Sequence, residues 1–149
     1  MKYKMLVLDI DGTLTNARKE ITENTRQTLV ELQKKGVKVV LASGRPTYGV
    51  VPSAKILEMD QYEGYILSFN GGKIMDCKTG ETVFEKIIEP HFVGEIYDQV
   101  KDKKVAVMTY EGDCIITETP DDYYVQKEAF INKMKIKKVE NFKEYVAFH

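Results

Sequence analysis

Apolar residues follow two alternating rhythms along the first half of the chain: short continuous runs, and longer stretches at helical spacing. Met5-Leu6-Val7-Leu8 is a continuous run, the pattern of a strand covered on both faces of a parallel sheet. Ile21, Thr25, Leu29 and Leu32 then recur at helical spacing; Thr22 supplies an N-cap, Glu23 an acidic first turn and Gly36 a C-terminal stop. Val37 to Leu41 is a second, β-branched strand. Pro46 opens the next helix at its first position, running towards Met59. Tyr65-Ile66-Leu67-Ser68-Phe69 is a third strand, ended by the turn Asn70-Gly71-Gly72. The order β-α-β-α-β with short connections predicts right-handed crossovers and an α/β fold with a Rossmann-like, doubly wound parallel sheet.

Past Gly72 the pattern changes. Lys73 to Asp76 and Thr82 to Glu85 flank Lys78-Thr79-Gly80 as a hairpin. His91 to Lys101 has helical spacing through Phe92, Ile96 and Val100. Val105 to Thr109 and Cys114 to Thr117 form antiparallel strands joined at Tyr110-Glu111-Gly112-Asp113, Tyr123 to Met134 a helix, and Ile136 to Val139 a last strand. A boundary between Glu85 and Glu89 divides the chain into residues 1–85 and 86–149. Tyr123, Tyr124, Phe142, Tyr145 and Phe148 are expected to pack a core.

Composition narrows the function. In 149 residues, 43% are hydrophobic and 30% charged, enough for a true core. The 22 Lys+Arg against 23 Asp+Glu argue against a nucleic-acid-binding protein, which needs a basic excess. No apolar run approaches the roughly 20 residues that cross a bilayer, and the run after Met1-Lys2-Tyr3-Lys4 meets Asp9 and Asp11 too soon for a signal peptide. Cys77 and Cys114 lack metal or CxxC spacing, so a reduced, cytoplasmic compartment is expected. His91 and His149 have no metal-spaced partners and are expected at the surface. The Lys133, Lys135, Lys137, Lys138 run is a solvated face.

The chemistry concentrates at Asp9-Ile10-Asp11-Gly12-Thr13-Leu14-Thr15. Two carboxylates stand two apart where an apolar strand ends, the place where open α/β sheets bind ligands. Strand alternation would point both the same way, with the turn at Gly12 separating their roles. Uncompensated acids there are expensive; two hard oxygen ligands suit Mg²⁺. One carboxylate can then attack phosphorus while the other exchanges a proton with the leaving oxygen.

The string Asp-Ile-Asp-Gly-Thr-Leu-Thr resembles the first motif of the haloacid dehalogenase (HAD) superfamily of phosphohydrolases, and the chain is similar to its Cof-type branch, which inserts an α/β cap after the third strand. The resemblance implies that Asp9 is the nucleophile, forming an aspartyl-phosphate, and a Mg²⁺ ligand. It implies that Asp11 is the general acid/base, with its backbone carbonyl on the metal. Gly12 and Thr13 would offer backbone N–H groups to the phosphate. Ser43, in Ser43-Gly44-Arg45-Pro46, lies 34 residues after Asp9 and inherits the family's phosphate-binding hydroxyl. Gly44 belongs to the same phosphate loop. Arg45 either adds charge near the phosphate or holds the loop; Asn70 either lies near the substrate or only makes its turn. Residues 86–149 are similar to the opening part of the cap.

The departures from the family pattern matter as much. Gly112-Asp113 lacks a second acid four residues on, where Thr117 stands, and is expected to be a hairpin turn. Neither the family's lysine motif nor its late Gly-Asp-x-x-Asn-Asp motif is present. The sheet would lack strands on one side of the first, leaving an edge that invites homo-oligomers. The expectation is a Mg²⁺-dependent phosphomonoester hydrolase for a small phosphorylated metabolite such as a sugar phosphate, present as its N-terminal half and inactive unless the missing groups arrive in trans. The alternative is a non-catalytic phosphate- or Mg²⁺-binding, self-associating remnant. A phospho-accepting signalling domain fits worse, because such domains gather their acids from two strands.

Overall fold

The computed structural model describes residues 2–148; His149 lies outside the described residues. The chain forms two compact units, Met1–Lys86 and Ile87–His149.

In the first unit, β1 (Met5–Leu8), β2 (Lys38–Ala42) and β3 (Tyr65–Ser68) pair in parallel, and β4 (Lys73–Asp76) and β5 (Thr82–Glu85) continue the sheet antiparallel, in the order β1-β2-β3-β4-β5. The parallel strands are joined by α1 (Glu23–Lys34) and α2 (Thr47–Ile56). The expected N-cap is present: the Thr22 hydroxyl accepts from the Thr25 N–H at 3.3 Å, and Gly36 follows the helix at φ +79°. Pro46 caps α2 from outside as its N-cap residue, one position before the place expected for it.

Register sorts the strand residues onto two faces. Leu6 opposes Val39, and Leu8, Leu41 and Ile66 lie side by side. This face packs Leu29 of α1 and Val50 and Ala54 of α2 into one core, closed by Leu57 and Met59. Two right-handed crossovers stepping the same way along a sheet put both helices on the same face. Met5 and Val7 belong to the other face and are more than half exposed, so β1 is covered on one face only and not on both, as its continuous apolar run had implied. Among the described residues β1 has a strand partner on one side only.

The second unit is a three-stranded sheet, β6 (Met108–Glu111), β7 (Cys114–Thr117) and β8 (Lys135–Lys138), with β7 central. Alternation along β7 sends neighbours to opposite cores. Ile115 packs with Val125 and Ala129 of α4 (Tyr123–Asn132). Ile116 packs with Phe142 of α5 (Phe142–Phe148) and with Val93 and Tyr97 of α3 (Pro90–Val100).

Several expectations need correction here. Strand β6 starts at Met108 rather than Val105, and α5 was not expected at all. Phe142 is buried, but Phe148 is 79% exposed and Tyr123 and Tyr124 are each 68% exposed, so these three do not pack a core. The sheet side chains Ile115 and Ile136 meet α4 at Val125 and Ala129, so the tyrosines of its first turn fall outside the covered face; Phe148 is the last residue of α5. Gly112, at φ +56°, turns the β6–β7 hairpin as expected. His91 is exposed, as are Lys133, Lys135, Lys137 and Lys138, of which Lys135 pairs with Asp113.

Candidate active site

Strand β1 ends at Leu8, earlier than strand alternation between the two acids would require. Ile10 to Leu14 form one wide turn: the Leu14 N–H donates to the Asp9 carbonyl (3.2 Å) and the Thr15 N–H to the Ile10 carbonyl (3.0 Å). Such wide turns recur at functional sites. Ile10 and Leu14 are buried and anchor the turn, while Asp9, Asp11, Gly12 and Thr13 are exposed. The turn, not strand alternation, therefore sets the relation between the two carboxylates. Gly12 stands at φ +85° with open space where a Cβ would be, so it serves the backbone conformation rather than a close approach.

The ends of β2 and β3 lie alongside. The Ser43 N–H donates to the Leu67 carbonyl (2.9 Å), Phe69 N–H to the Arg45 carbonyl (3.0 Å) and Asn70 N–H to the Ser43 carbonyl (3.2 Å). These three bonds zip the Ser43-Gly44-Arg45 loop to the turn after β3. A Cβ on Gly44 would sit 3.0 Å from Asn70 Oδ1, so glycine here lets the two loops meet. Asn70 takes the left-handed conformation at φ +55°. The Ser43 hydroxyl accepts from the Arg45 N–H at 3.2 Å. Beneath them, the hydroxyls of Thr47 and the buried Ser68 meet at 2.6 Å.

Arg45 joins this second loop to the first. Its Nε donates to Asp11 Oδ2 at 2.8 Å and its Nη2 to Asp11 Oδ1 at 2.7 Å, a two-pronged pairing. Lys19 Nζ donates to the same Oδ1 at 2.8 Å. The hydrogen bonds from Arg45 hold the Asp11 carboxyl down at about 2, against a partial burial that would raise it; the Lys19 ammonium works in the same direction as Arg45. No side chain among the described residues is bonded to the Asp9 carboxylate.

The eight residues expected at the site thus lie on the loops that follow the C-terminal ends of three adjacent parallel strands. Asp9, Asp11, Gly12 and Thr13 follow β1; Ser43, Gly44 and Arg45 follow β2; Asn70 follows β3. Sequence reasoning missed Lys19, because an exposed lysine in Asn16-Ala17-Arg18-Lys19-Glu20 carries no pattern that marks it. The donor set for a metal is thin. Among the described residues no group of three or more His, Cys, Asp or Glu is disposed to hold an ion. The carboxylate of Asp9 and a backbone carbonyl are hard oxygen donors that fit Mg²⁺ in its usual habit, shared with a phosphate and several waters.

Comparison with known proteins identifies the family and the fold. The solved structure of a haloacid dehalogenase-like hydrolase from Bacteroides thetaiotaomicron is 47% identical with a TM-score of 0.89, covering 95% of this chain and 53% of that one. A protein of Streptococcus pyogenes serotype M6, a candidate phosphatase by its name, is 29% identical over 134 residues, 89% of this chain and 50% of the relative. YxeH of Bacillus subtilis, also a candidate phosphatase by name, is 30% identical over 119 residues, 80% of this chain and 44% of the relative. The chain therefore spans about half the length of the curated relatives it matches. The family model for haloacid dehalogenase-like hydrolases matches residues 6–148, from the first strand to the last helix. With the acidic loop on β1 and the serine and asparagine loops beside it, this chain belongs to the haloacid dehalogenase-like hydrolase family.

Proposed function

We propose that the chain carries the nucleophile half of a phosphomonoester hydrolase acting on a small phosphorylated metabolite such as a sugar phosphate. In the first step an Asp9 carboxylate oxygen attacks phosphorus and the bond from phosphorus to the leaving oxygen breaks; Asp11, which takes up a proton from solvent once the arriving phosphate draws Arg45 off its carboxylate, gives that proton to the leaving oxygen. In the second step Asp11 takes a proton from water as the water oxygen attacks the aspartyl-phosphate, releasing inorganic phosphate and restoring Asp9. Gly12 and Thr13 present backbone N–H groups to the phosphoryl oxygens, Ser43 its hydroxyl, and Gly44 lets the backbone approach. Arg45 neutralises phosphate charge, and Asn70 borders the leaving group. A bound Mg²⁺, held by the Asp9 carboxylate and the Asp11 backbone carbonyl, would supply charge neutralisation of the phosphoryl oxygens. A cytoplasmic setting belongs to the same proposal.

The observation that carries this reading is the gathering of the Asp9–Thr13, Ser43–Arg45 and Asn70 loops at one end of the sheet, with Arg45 bridging to Asp11. The test is Mg²⁺-dependent hydrolysis of an aryl phosphate by the full chain, with Asp9→Asn as control. Turnover lost in the mutant supports the reading; turnover retained there moves the nucleophile elsewhere.

One observation favours a second reading. Among the described residues no strand pairs with the free side of β1, and Tyr3, Met5 and Val7 on and before that strand are 72%, 52% and 53% exposed. An uncovered apolar edge of this kind invites another chain, so in isolation the protein would self-associate as a non-catalytic binding module. Folded protein that binds phosphate without hydrolysing it, and that assembles through this edge, would favour that alternative.

A further inference from the structure

Lys19 occupies a position that a lysine has no local reason to take. Its backbone is left-handed, at φ +63°, a conformation that glycine and asparagine adopt with less strain than a long side chain does. The loop around it is firmly braced. Asn16 Oδ1 accepts from the N–H groups of Arg18 (2.8 Å) and Glu20 (3.0 Å). The Lys19 N–H donates to the Asn16 carbonyl (2.9 Å), and the Asn16 N–H to the Glu20 carbonyl (3.0 Å). A strained residue held in place by its surroundings points towards function.

Stability does not account for it. The Lys19 side chain is 63% exposed, and its ion pair with Asp11 at 2.8 Å is of the solvent-facing kind that adds little to folding. What the pairing does achieve is to place a second cation on a carboxylate that already has one. Asp11 has a single negative charge; Arg45 meets it with two donors and Lys19 with a third. A phosphomonoester group near neutral pH carries close to two negative charges and three acceptor oxygens. It matches a pair of cations better than one carboxylate does.

We propose that Lys19 and Arg45 form an oxyanion clamp, held in readiness by Asp11 and taken over by the phosphoryl group of a bound phosphomonoester. This rests on the phosphatase reading of the same loops and adds Lys19 to them as an oxyanion-binding residue. The hand-over has a consequence for Asp11. When both cations turn to the phosphate, its carboxylate loses its three donors and becomes available to the leaving oxygen. Binding of the right group and release of the proton-transfer residue thereby become one event.

The test is calorimetric titration of inorganic phosphate into the full chain at low ionic strength with Mg²⁺ present, together with the Nε–H resonance of Arg45. Lys19→Ala should weaken phosphate binding about tenfold, the effect of one charge-assisted hydrogen bond, while Lys19→Arg stays within about threefold. Lys19→Gly relieves the left-handed strain, so it should raise the Tm yet bind as weakly as Lys19→Ala; a purely structural lysine would not separate these two readouts. Saturating phosphate should shift the Arg45 resonance. Wild-type affinity in both Lys19→Ala and Lys19→Gly overturns the clamp, as does an unmoved Arg45 resonance or a wild-type chain that binds no phosphate. Lys19-dependent phosphate binding in a chain that hydrolyses no aryl phosphate upholds the clamp and favours the non-catalytic binding module over the enzyme.

Discussion

Replacing Arg45 by methionine keeps an unbranched side chain of similar reach and deletes the guanidinium that grips Asp11. Arg45 is only 17% exposed and makes both close contacts to the carboxylate, at 2.8 and 2.7 Å. Asp11 titrates at about 2 instead of 3.8, with the Arg45 hydrogen bonds the largest cause. For a shielded group a fall of that size corresponds to roughly 2–3 kcal/mol. Asp11 is 36% exposed, however, and solvent screening reduces the contribution to about 1 kcal/mol, part of which Lys19 retains. A carboxyl depressed in the folded state stabilises above its unfolded value, and that stability is lost as pH falls through the folded one. Wild type should therefore exceed Arg45→Met by about 0.5–1 kcal/mol at pH 6, with the gap closing between about pH 4 and pH 2. Urea unfolding of both proteins at pH 6, 4 and 3 in Mg²⁺-free buffer measures the gap. A carbon-detected titration of the Asp11 carboxyl should show its midpoint rise towards 3.8 in the variant. A midpoint that stays at about 2, or a stability gap independent of pH, would refute the argument that Arg45 sets the state of Asp11.

Three further outcomes are expected. Phe142→Ala, at a side chain only 1% exposed between Ile116, Val139 and Tyr97, should cost about 3–5 kcal/mol in urea unfolding; a cost under about 1 kcal/mol would mean that α5 is not docked as described. Burial against the first unit's core pushes the Cys77 thiol up to about 12, so alkylation by iodoacetamide at pH 8 should be more than about tenfold slower than in unfolded chain. Equal rates would contradict that burial. Sedimentation should show assembly of the wild-type chain and a shift towards monomer in Val7→Lys, whose charge falls on the uncovered face of the edge strand; a monodisperse wild-type monomer would remove the second reading.

How much the sequence discloses depends on whether the relevant force is local or tertiary. The α1, β2 and β3 elements were legible because burial imposes its pattern directly: Leu29, Val39, Leu41 and Ile66 all face one core; the run in β1 marks a strand but misleads about its cover, since Met5 and Val7 are exposed. The loops Asp9–Thr15 and Ser43–Pro46 were legible through resemblance: an acid pair at a strand end or a hydroxyl before glycine is by itself as well explained by a solvated end or a helix cap, and only the full seven-residue string, with Ser43 in register 34 residues after Asp9, marks them. Helix α5 was not legible, since only seven residues form it and its burial depends on Phe142 meeting Tyr97 and Ile116 from distant segments. Tyr123 and Tyr124 misled for the converse reason: aromatic bulk suggests a core, but which face of α4 is covered is decided by β7 and β8, not by α4 itself. Lys19 is the most instructive case. Its charge is ordinary in sequence, and only the bracing by Asn16, the left-handed backbone and a 2.8 Å contact to Asp11 distinguish it. Residues whose role is to be aimed at another group are invisible until the geometry that aims them is known. The same holds for Arg45, where sequence left loop support and phosphate charge equally open. The geometry answers the first half of that choice: the guanidinium holds the carboxylate two residues from Asp9 with two donors and so ties the two loops together.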